Sequence, residues 1–178
     1  MQPYTIKESL EAHHKECYGW AIHCCGLDKD MAQDVLQNAY LKIIEKQSSY
    51  KEQATFKTWA FAVIRNTALD AIKKLNRERR RISGEQHLTD AIEQQQPTDP
   101  ADGRLKQQFF TEALLLLSER QREIFQLVFY HDLSLREAGQ VLHISTGSAS
   151  RHYDRAKKRL LTWLHQKGIN INNYNGLI

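Results

Sequence analysis

The chain is 178 residues long, 41% hydrophobic and 26% charged with a net charge of +4, which suits one or two small globular domains and excludes a disordered polyelectrolyte. Its longest apolar runs, Ala60 to Ile64 and Ala113 to Leu117, are far below the about 20 residues of a membrane-spanning helix, so no membrane insertion is expected. No export leader opens the chain and its three cysteines are an odd count, which argues against a disulfide framework and for a reducing cytoplasm.

The first helical stretch carries His13, His14, Cys17, His23, Cys24 and Cys25. His13 and Cys17 are four apart and could share a helix face with a metal ion. Buried thiols in place of small apolar residues are the favoured reading, since no Cys-x-x-Cys spacing occurs and free cysteine is commonly buried. Gly26 marks the end of this helix and Asp28 the start of the next.

From Asp30 to Lys46 the apolar stripe is Ala32, Val35, Leu36, Ala39, Tyr40, Ile43 and Ile44, with Gln33, Asp34, Gln37, Asn38 and Lys42 opposite; that is helical spacing. From Phe56 to Leu75 the stripe is Trp59, Ala60, Val63, Ile64, Thr67, Ala68, Ala71 and Ile72. Its outer side is expected to carry Arg65, Asn66, Asp70, Lys73 and Lys74. A basic cluster follows at Arg77, Arg79, Arg80 and Arg81, opposed only by Glu78.

The stretch 83–104 breaks the pattern with Gly84, three consecutive glutamines, Pro97, Pro100 and Gly103. It reads as a flexible linker, and Glu85, Asp90, Glu93, Asp99 and Asp102 make it acidic. The expected organisation is all-α: a helical domain over 1–82, the linker 83–104, a second helical domain over 105–166, and a frayed tail 167–178.

In the second domain, Ser118 precedes a helix expected over Glu119 to Tyr130. Ser134, with Glu137 three residues on, forms a capping box for a short helix from Leu135 to Leu142. His143-Ile144-Ser145 makes a tight connection to a longer helix from Thr146 to Leu164. These lengths and this turn match a helix-turn-helix. Gly139 fits a close crossing, Ile144, Ala149 and Tyr153 face the core, and Thr146, Ser148, Ser150, Arg151 and Arg155 face outward. In this motif the first turns of the second helix reach base edges in the major groove, and Arg151 is long enough for a bidentate contact to guanine. Lys157, Lys158 and Arg159 lie farther along and suit phosphates. No Gly-x-Ser-x-Gly elbow, P-loop or His-Glu-x-x-His is present, so neither enzymatic activity nor a cofactor is expected.

The two halves together resemble the extracytoplasmic-function group of bacterial sigma factors, over about residues 10–81 and 105–164. The resemblance is carried by Asp34-Val35-Leu36-Gln37-Asn38-Ala39-Tyr40, by Phe56-Lys57-Thr58-Trp59 and by Ile64-Arg65-Asn66-Thr67-Ala68-Leu69-Asp70. In the second half it rests on Leu117-Ser118-Glu119-Arg120-Gln121-Arg122-Glu123 and on Leu133-Ser134 through Arg155-Ala156. It implies a protein that binds core RNA polymerase and directs it to a promoter. Asp34, Gln37, Asn38 and Lys42 would grip a coiled coil of the polymerase. The loop from Gln47 to Thr55 and the helix after it would handle the minus-ten element, with Tyr50, Lys51 and Lys57 at a flipped base and Arg65, Asn66, Asp70, Lys73 and Lys74 along the strand. Trp59 could serve as a stacking platform, though core packing is favoured. The second domain would bind the duplex minus-thirty-five element through Arg120, Arg122, Thr146, Ser148, Ser150, Arg151, Arg155 and Lys158. The group is often held inactive by an anti-sigma protein, which makes one an expected partner. The chain departs from the group's pattern in having His143 where a glycine is usual, and Ser150 and His152 where Lys or Arg is frequent. The competing reading is an ordinary helix-turn-helix regulator that binds duplex DNA without polymerase.

Overall fold

The computed structural model describes residues 5–46, 50, 54–83 and 112–168. Lys51, residues 84–104 of the expected linker and the tail from 169 onward lie outside the described residues. No strand occurs among those described, and the helices form two compact units, Met1–Gln96 and Pro97–Ile178.

In the first unit α1 (Ile6–Ala12) is capped reciprocally by Thr5 and Glu8, and α2 (His14–Cys24) follows after a break at His13. At the end of α2, Gly26 takes φ 65° and the Leu27 amide donates to the Ile22 carbonyl at 2.9 Å. This left-handed turn closes orphan carbonyls that a continued helix would have used. Asp28 then accepts from the Met31 amide at 2.9 Å and starts α3 (Lys29–Glu45). The last helix, α4, runs Phe56–Ser83, eight residues past the expected end, so the Arg77 to Arg81 cluster is displayed on helix.

Helices α2, α3 and α4 pack on one another. Their common core holds Trp20, Val35, Ile43, Phe61 and Ile64, each at most 1% exposed; burial of such side chains stabilises by about 1.5–3 kcal/mol apiece. The Trp20 indole lies parallel to the Phe61 ring at 5.7 Å and donates to the Phe61 carbonyl at 3.1 Å, so its one polar atom is satisfied inside the core. Cys17 and Cys25 fill the same interior at 0% and 4% exposure. Loss of solvent pushes their thiols up to about 11 and about 12, far from the thiolate that binds metal. No cluster of three metal-ligating side chains occurs among the described residues.

In the second unit, α5 (Glu119–Phe125) passes directly into a π-helical turn, Gln126–Tyr130, where a continuous α-helix was expected. The short α6 (Leu135–Leu142) has the expected bounds and the Ser134–Glu137 capping box. The long α7 spans Thr146–Gln166, with Ser145 as its N-cap. Helices α5 and α6 both pack on α7. Ile124, Leu127, Val141, Leu142 and Ala149 close the core near the turn, and Phe125, Ala156 and Leu160 continue it along α7 with Tyr153 and Trp163 packed against them.

Candidate nucleic-acid interface

The turn between α6 and α7 sets how the two helices cross. His143 adopts φ 54°, ψ 44°, the left-handed conformation that glycine takes without strain and other residues do not. The Ile144 amide donates to the Gly139 carbonyl at 2.9 Å, and a Cβ on Gly139 would stand 2.9 Å from the Ile144 carbonyl oxygen. Gly139 is therefore required where the turn folds back on α6, as its place in the sequence suggested.

The outward side of α7 lies opposite buried Ala149, Ala156 and Leu160. Thr146, Arg151, Arg155 and Lys158 are exposed there, while Ser148 and Ser150 are half-buried. The Arg151 guanidinium donates to the Ser148 hydroxyl at 3.3 Å, and Ser150 donates to Asp154 at 3.4 Å. Arg155 and Lys158 border a shallow groove floored by Leu116 and Trp163, which gives their aliphatic stems an apolar footing while the charged heads stay in solvent. The preceding helix behaves differently from expectation. Arg122 turns inward and donates to the carbonyls of Leu114 at 3.1 Å and Leu117 at 3.3 Å, tying the start of α5 to the segment before it. Arg120 is exposed but pairs with Glu123 at 3.1 Å.

In the first unit, α3 has two outer tracks. Asp34 and Leu41 are one heptad apart, as are Gln37 and Ile44, and two helical turns bring such pairs onto the same side. Asp34, Gln37 and Asn38 are exposed, with Leu41 at 59% and Ile44 at 50% beyond them. Ile44 thus leaves the apolar stripe assigned to it from spacing. Lys42, expected to join Asp34 on that outer face, is a correction in the other direction: it is one heptad from buried Val35. Its ammonium donates to the Thr67 hydroxyl at 3.2 Å and stands 3.9 Å from Asp70, so it joins α3 to α4.

On α4, Asn66, Asp70, Lys73 and Lys74 are exposed as expected, whereas Arg65 is only 5% exposed. The buried face, Thr58, Ala60, Phe61, Ile64, Arg65, Thr67 and Ala68, keeps Ala60, Ile64, Thr67 and Ala68 of the expected stripe and adds Thr58, Phe61 and Arg65, with position 65 a heptad after Thr58. Val63 and Trp59, expected in the core, stand half-buried at its edge. Lys57 is also turned inward, with its side chain 17% exposed and its ammonium paired with Glu16 of α2.

Around the start of α4 an aromatic cluster forms. Tyr50 stacks on Trp59 at 4.9 Å and meets Phe56 edge-on at 6.3 Å, and its hydroxyl donates to the Ala54 carbonyl at 2.8 Å. Trp59 is thus neither a core residue nor a bare platform. Its face is occupied by Tyr50.

The surface features that spacing did not single out are Leu41 and Ile44. An apolar residue one heptad from Asp34 or Gln37 is the signal that finds them, because two such residues continue a face that Asp34 and Gln37 already make polar. Gly147 is a second omission. It lies at the centre of the outward side of α7, one turn before Arg151.

Known proteins match both halves of the chain. The family model described as Sigma-70 region 2 matches residues 10–78, and the model Sigma-70, region 4 matches residues 113–160. The ECF RNA polymerase sigma factor SigM of Bacillus subtilis is 25% identical over 166 residues, covering 93% of this chain and 98% of the relative. SigX of the same organism is 22% identical over 159 residues, covering 88% and 81%. The sigma factor RpoE of Bartonella quintana, solved in complex with the anti-sigma factor NepR, superposes with a TM-score of 0.73 at 27% identity, over 89% of this chain and 96% of that one. With both regions matched in order over well more than half of its length, the chain belongs to the sigma-70 family, in the extracytoplasmic-function group for which these relatives are named.

Proposed function

We propose that this sigma factor docks on core RNA polymerase through the outer face of α3, engages the minus-ten element along α4, and binds the duplex minus-thirty-five element with α7. The observation that carries the reading is the pairing of Leu41 and Ile44 with Asp34, Gln37 and Asn38 on one solvent-facing side of α3. Two large aliphatic side chains held in water beside a carboxylate and two amides suit a protein partner: the apolar pair supplies association free energy, and the polar groups set register by charge-assisted hydrogen bonds. A duplex-binding regulator has no use for such a face. Lys42 acts from behind it, by holding α3 against α4.

At the minus-ten element the exposed groups of α4 are Asn66, Asp70, Lys73 and Lys74, with Arg77 and Arg80 continuing the cationic side for two further turns. The amide can hydrogen-bond base edges of an opened strand while the ammonium groups meet phosphates. Tyr50 on Trp59 offers a stacking pair to a flipped base, with Lys51 as its cationic neighbour in sequence. Arg65 and Lys57 serve the fold instead: one lies in the buried face of α4 and the other is paired to Glu16. Strand opening needs no catalytic group, because capture of unstacked bases offsets the few kcal/mol of unpairing. At the minus-thirty-five element Thr146, Ser148, Ser150 and Arg151 face the groove, and Arg155 and Lys158 the phosphates. Arg120, exposed and paired with Glu123, remains the candidate on α5; Arg122 acts indirectly, by fixing α5.

An anti-sigma protein is the expected regulator, on the strength of the Bartonella quintana relative, whose solved form is a complex with one. The cytoplasm, where the polymerase works, is the site of action; no described helix is long and apolar enough to cross a membrane.

The test is retention of core polymerase on the immobilised chain together with run-off transcription. The wild type retains core polymerase and supports run-off. Leu41→Ala with Ile44→Ala weakens retention by about 10- to 100-fold, from the apolar area withdrawn, while leaving the helical circular dichroism intact. A chain that binds duplex DNA and never retains polymerase is a plain regulator, and that result overturns the reading.

A further inference from the structure

From Phe56 to Arg77 the long helix α4 carries a single acidic residue, Asp70. It is set between Asn66, one turn before it, and Lys73 and Lys74, one turn after, and all four are exposed. Residues three and four apart are neighbours on a helix surface, with Cβ atoms about 5–6 Å apart. That is inside the screening length of about 8 Å at physiological salt, so a phosphate drawn to Lys73 or Lys74 also meets the field of Asp70. A lone carboxylate in this place works against any polyanion laid along the helix.

The cation that answers Asp70 comes from the neighbouring helix. The Lys42 ammonium of α3 stands 3.9 Å from the Asp70 carboxylate, while among the described residues no ion pair joins Asp70 to Lys73 or Lys74. The same ammonium donates to the Thr67 hydroxyl at 3.2 Å, and Thr67 is buried. A hydroxyl inside the α3–α4 contact thus anchors a positive charge at the flank of Asp70, one turn away on the same helix. With side chains 41% and 69% exposed, the pair adds little to stability. Its effect falls instead on charge that approaches from solvent, and the lysines of α4 keep their own charge for such a ligand.

We propose that Lys42 is a positioning residue for strand binding: its anchored ammonium cancels the Asp70 charge on the side of α4 that meets the opened strand, and so lets Lys73 and Lys74 take adjacent phosphates. This rests on the reading of α4 as the strand-facing helix, and it gives Lys42 a part in nucleic-acid binding beyond joining α3 to α4.

The full chain is titrated against randomised single-stranded oligonucleotides, and retention of core polymerase is measured on the same preparations. Lys42→Met weakens oligonucleotide binding by about three- to tenfold, the repulsion of one or two phosphates a turn away from an uncancelled carboxylate. Lys42→Arg keeps the charge and stays within about twofold of the wild type. The deciding readout is the cycle with Asp70→Asn: in that background Lys42→Met weakens binding by less than about twofold, because no carboxylate is left to cancel. A loss of equal size in both backgrounds means that Lys42 acts through the fold or on a phosphate directly, and it overturns the proposal. So does a Lys42→Met chain that binds as the wild type does, or a wild-type chain with no affinity for the oligonucleotides. Polymerase retention decides the sigma reading separately: a chain that follows the cycle yet retains no polymerase keeps the role of Lys42 and loses that reading.

Discussion

Replacing Gly139 with alanine tests how tightly the turn between α6 and α7 is set. The new Cβ would stand 2.9 Å from the Ile144 carbonyl oxygen, against ordinary contact from 3.4 Å outward, so the turn must retreat by about half an ångström. That carbonyl cannot retreat freely. Its own residue's amide is bonded to the Gly139 carbonyl at 2.9 Å, and the His143 amide to Gln140 at 3.3 Å. Overpacking against backbone costs about 1–3 kcal/mol, and losing the Ile144 hydrogen bond adds about 1 kcal/mol. The expected sum, about 2–4 kcal/mol, is a large share of the stability of so small a unit. Urea unfolding followed by fluorine NMR of fluorotryptophan-labelled protein reads it, since Trp163 reports the second unit and Trp20 the first. With a slope of about 1 kcal/mol per M, the Trp163 midpoint falls by about 2 M or more while that of Trp20 stays in place. A Trp163 midpoint displaced by less than about 0.5 M refutes the steric argument.

Further perturbations give readings of other kinds. His143→Gly should leave the second unit unchanged or stabilise it by up to about 1 kcal/mol, because relief of left-handed strain outweighs or balances the added freedom of the unfolded chain; a lower Trp163 midpoint would contradict this. Between about pH 9 and 11 the unfolded chain releases the Cys17 and Cys25 protons that the fold retains. Stability should therefore fall with rising pH, by about 1.4 kcal/mol per unit for each thiol, and Cys17→Ala should flatten the decline. Lys57→Met and Glu16→Gln should each lower the stability of the first unit and couple in a double-mutant cycle by about 1 kcal/mol; an independent loss of promoter binding in Lys57→Met would show the lysine contacting DNA after all. Neutralising Arg77 and Arg80 together should reduce the slope of log affinity against log salt by about 1.8 if both meet duplex phosphates, and an unchanged slope excludes them.

What could be read from the sequence was whatever is fixed by a few adjacent residues. The capping box at Ser134 and Glu137 set α6 to the residue, and Asp28 and Gly26 marked the passage from α2 to α3, because caps are local hydrogen bonds. Helix faces were read less well. An apolar stripe more than one residue wide can be rotated without changing its composition, so Val63 was placed inside and Arg65 outside, where packing on Trp20 selects Phe61 and the heptad of Thr58 and Arg65. Ile44 left the interior for the same reason, and Lys42 turned from the outer face to the edge facing α4, with its side chain 41% exposed. Spacing sees the width of a stripe, while its centre is decided by the neighbouring helix. The interior direction of Arg122 is set by carbonyls at Leu114 and Leu117, and nothing in side-chain pattern announces a backbone acceptor. The recognition helix fared better, since Ala149 and Ala156 at a heptad leave little choice about which side is buried.

The π-helical turn Gln126–Tyr130, where the His131 amide reaches back to the Gln126 carbonyl at 3.2 Å, behaves as one residue too many for a regular helix. Deleting a single residue there would restore ordinary winding and swing everything after it by about 100° around the axis of α5. Leu133, now buried at 5% exposure, would be carried out of the interior. The orientation of α6 and α7 is in that sense counted out by chain length, and an insertion or deletion at this point would re-aim them more drastically than any substitution on α7.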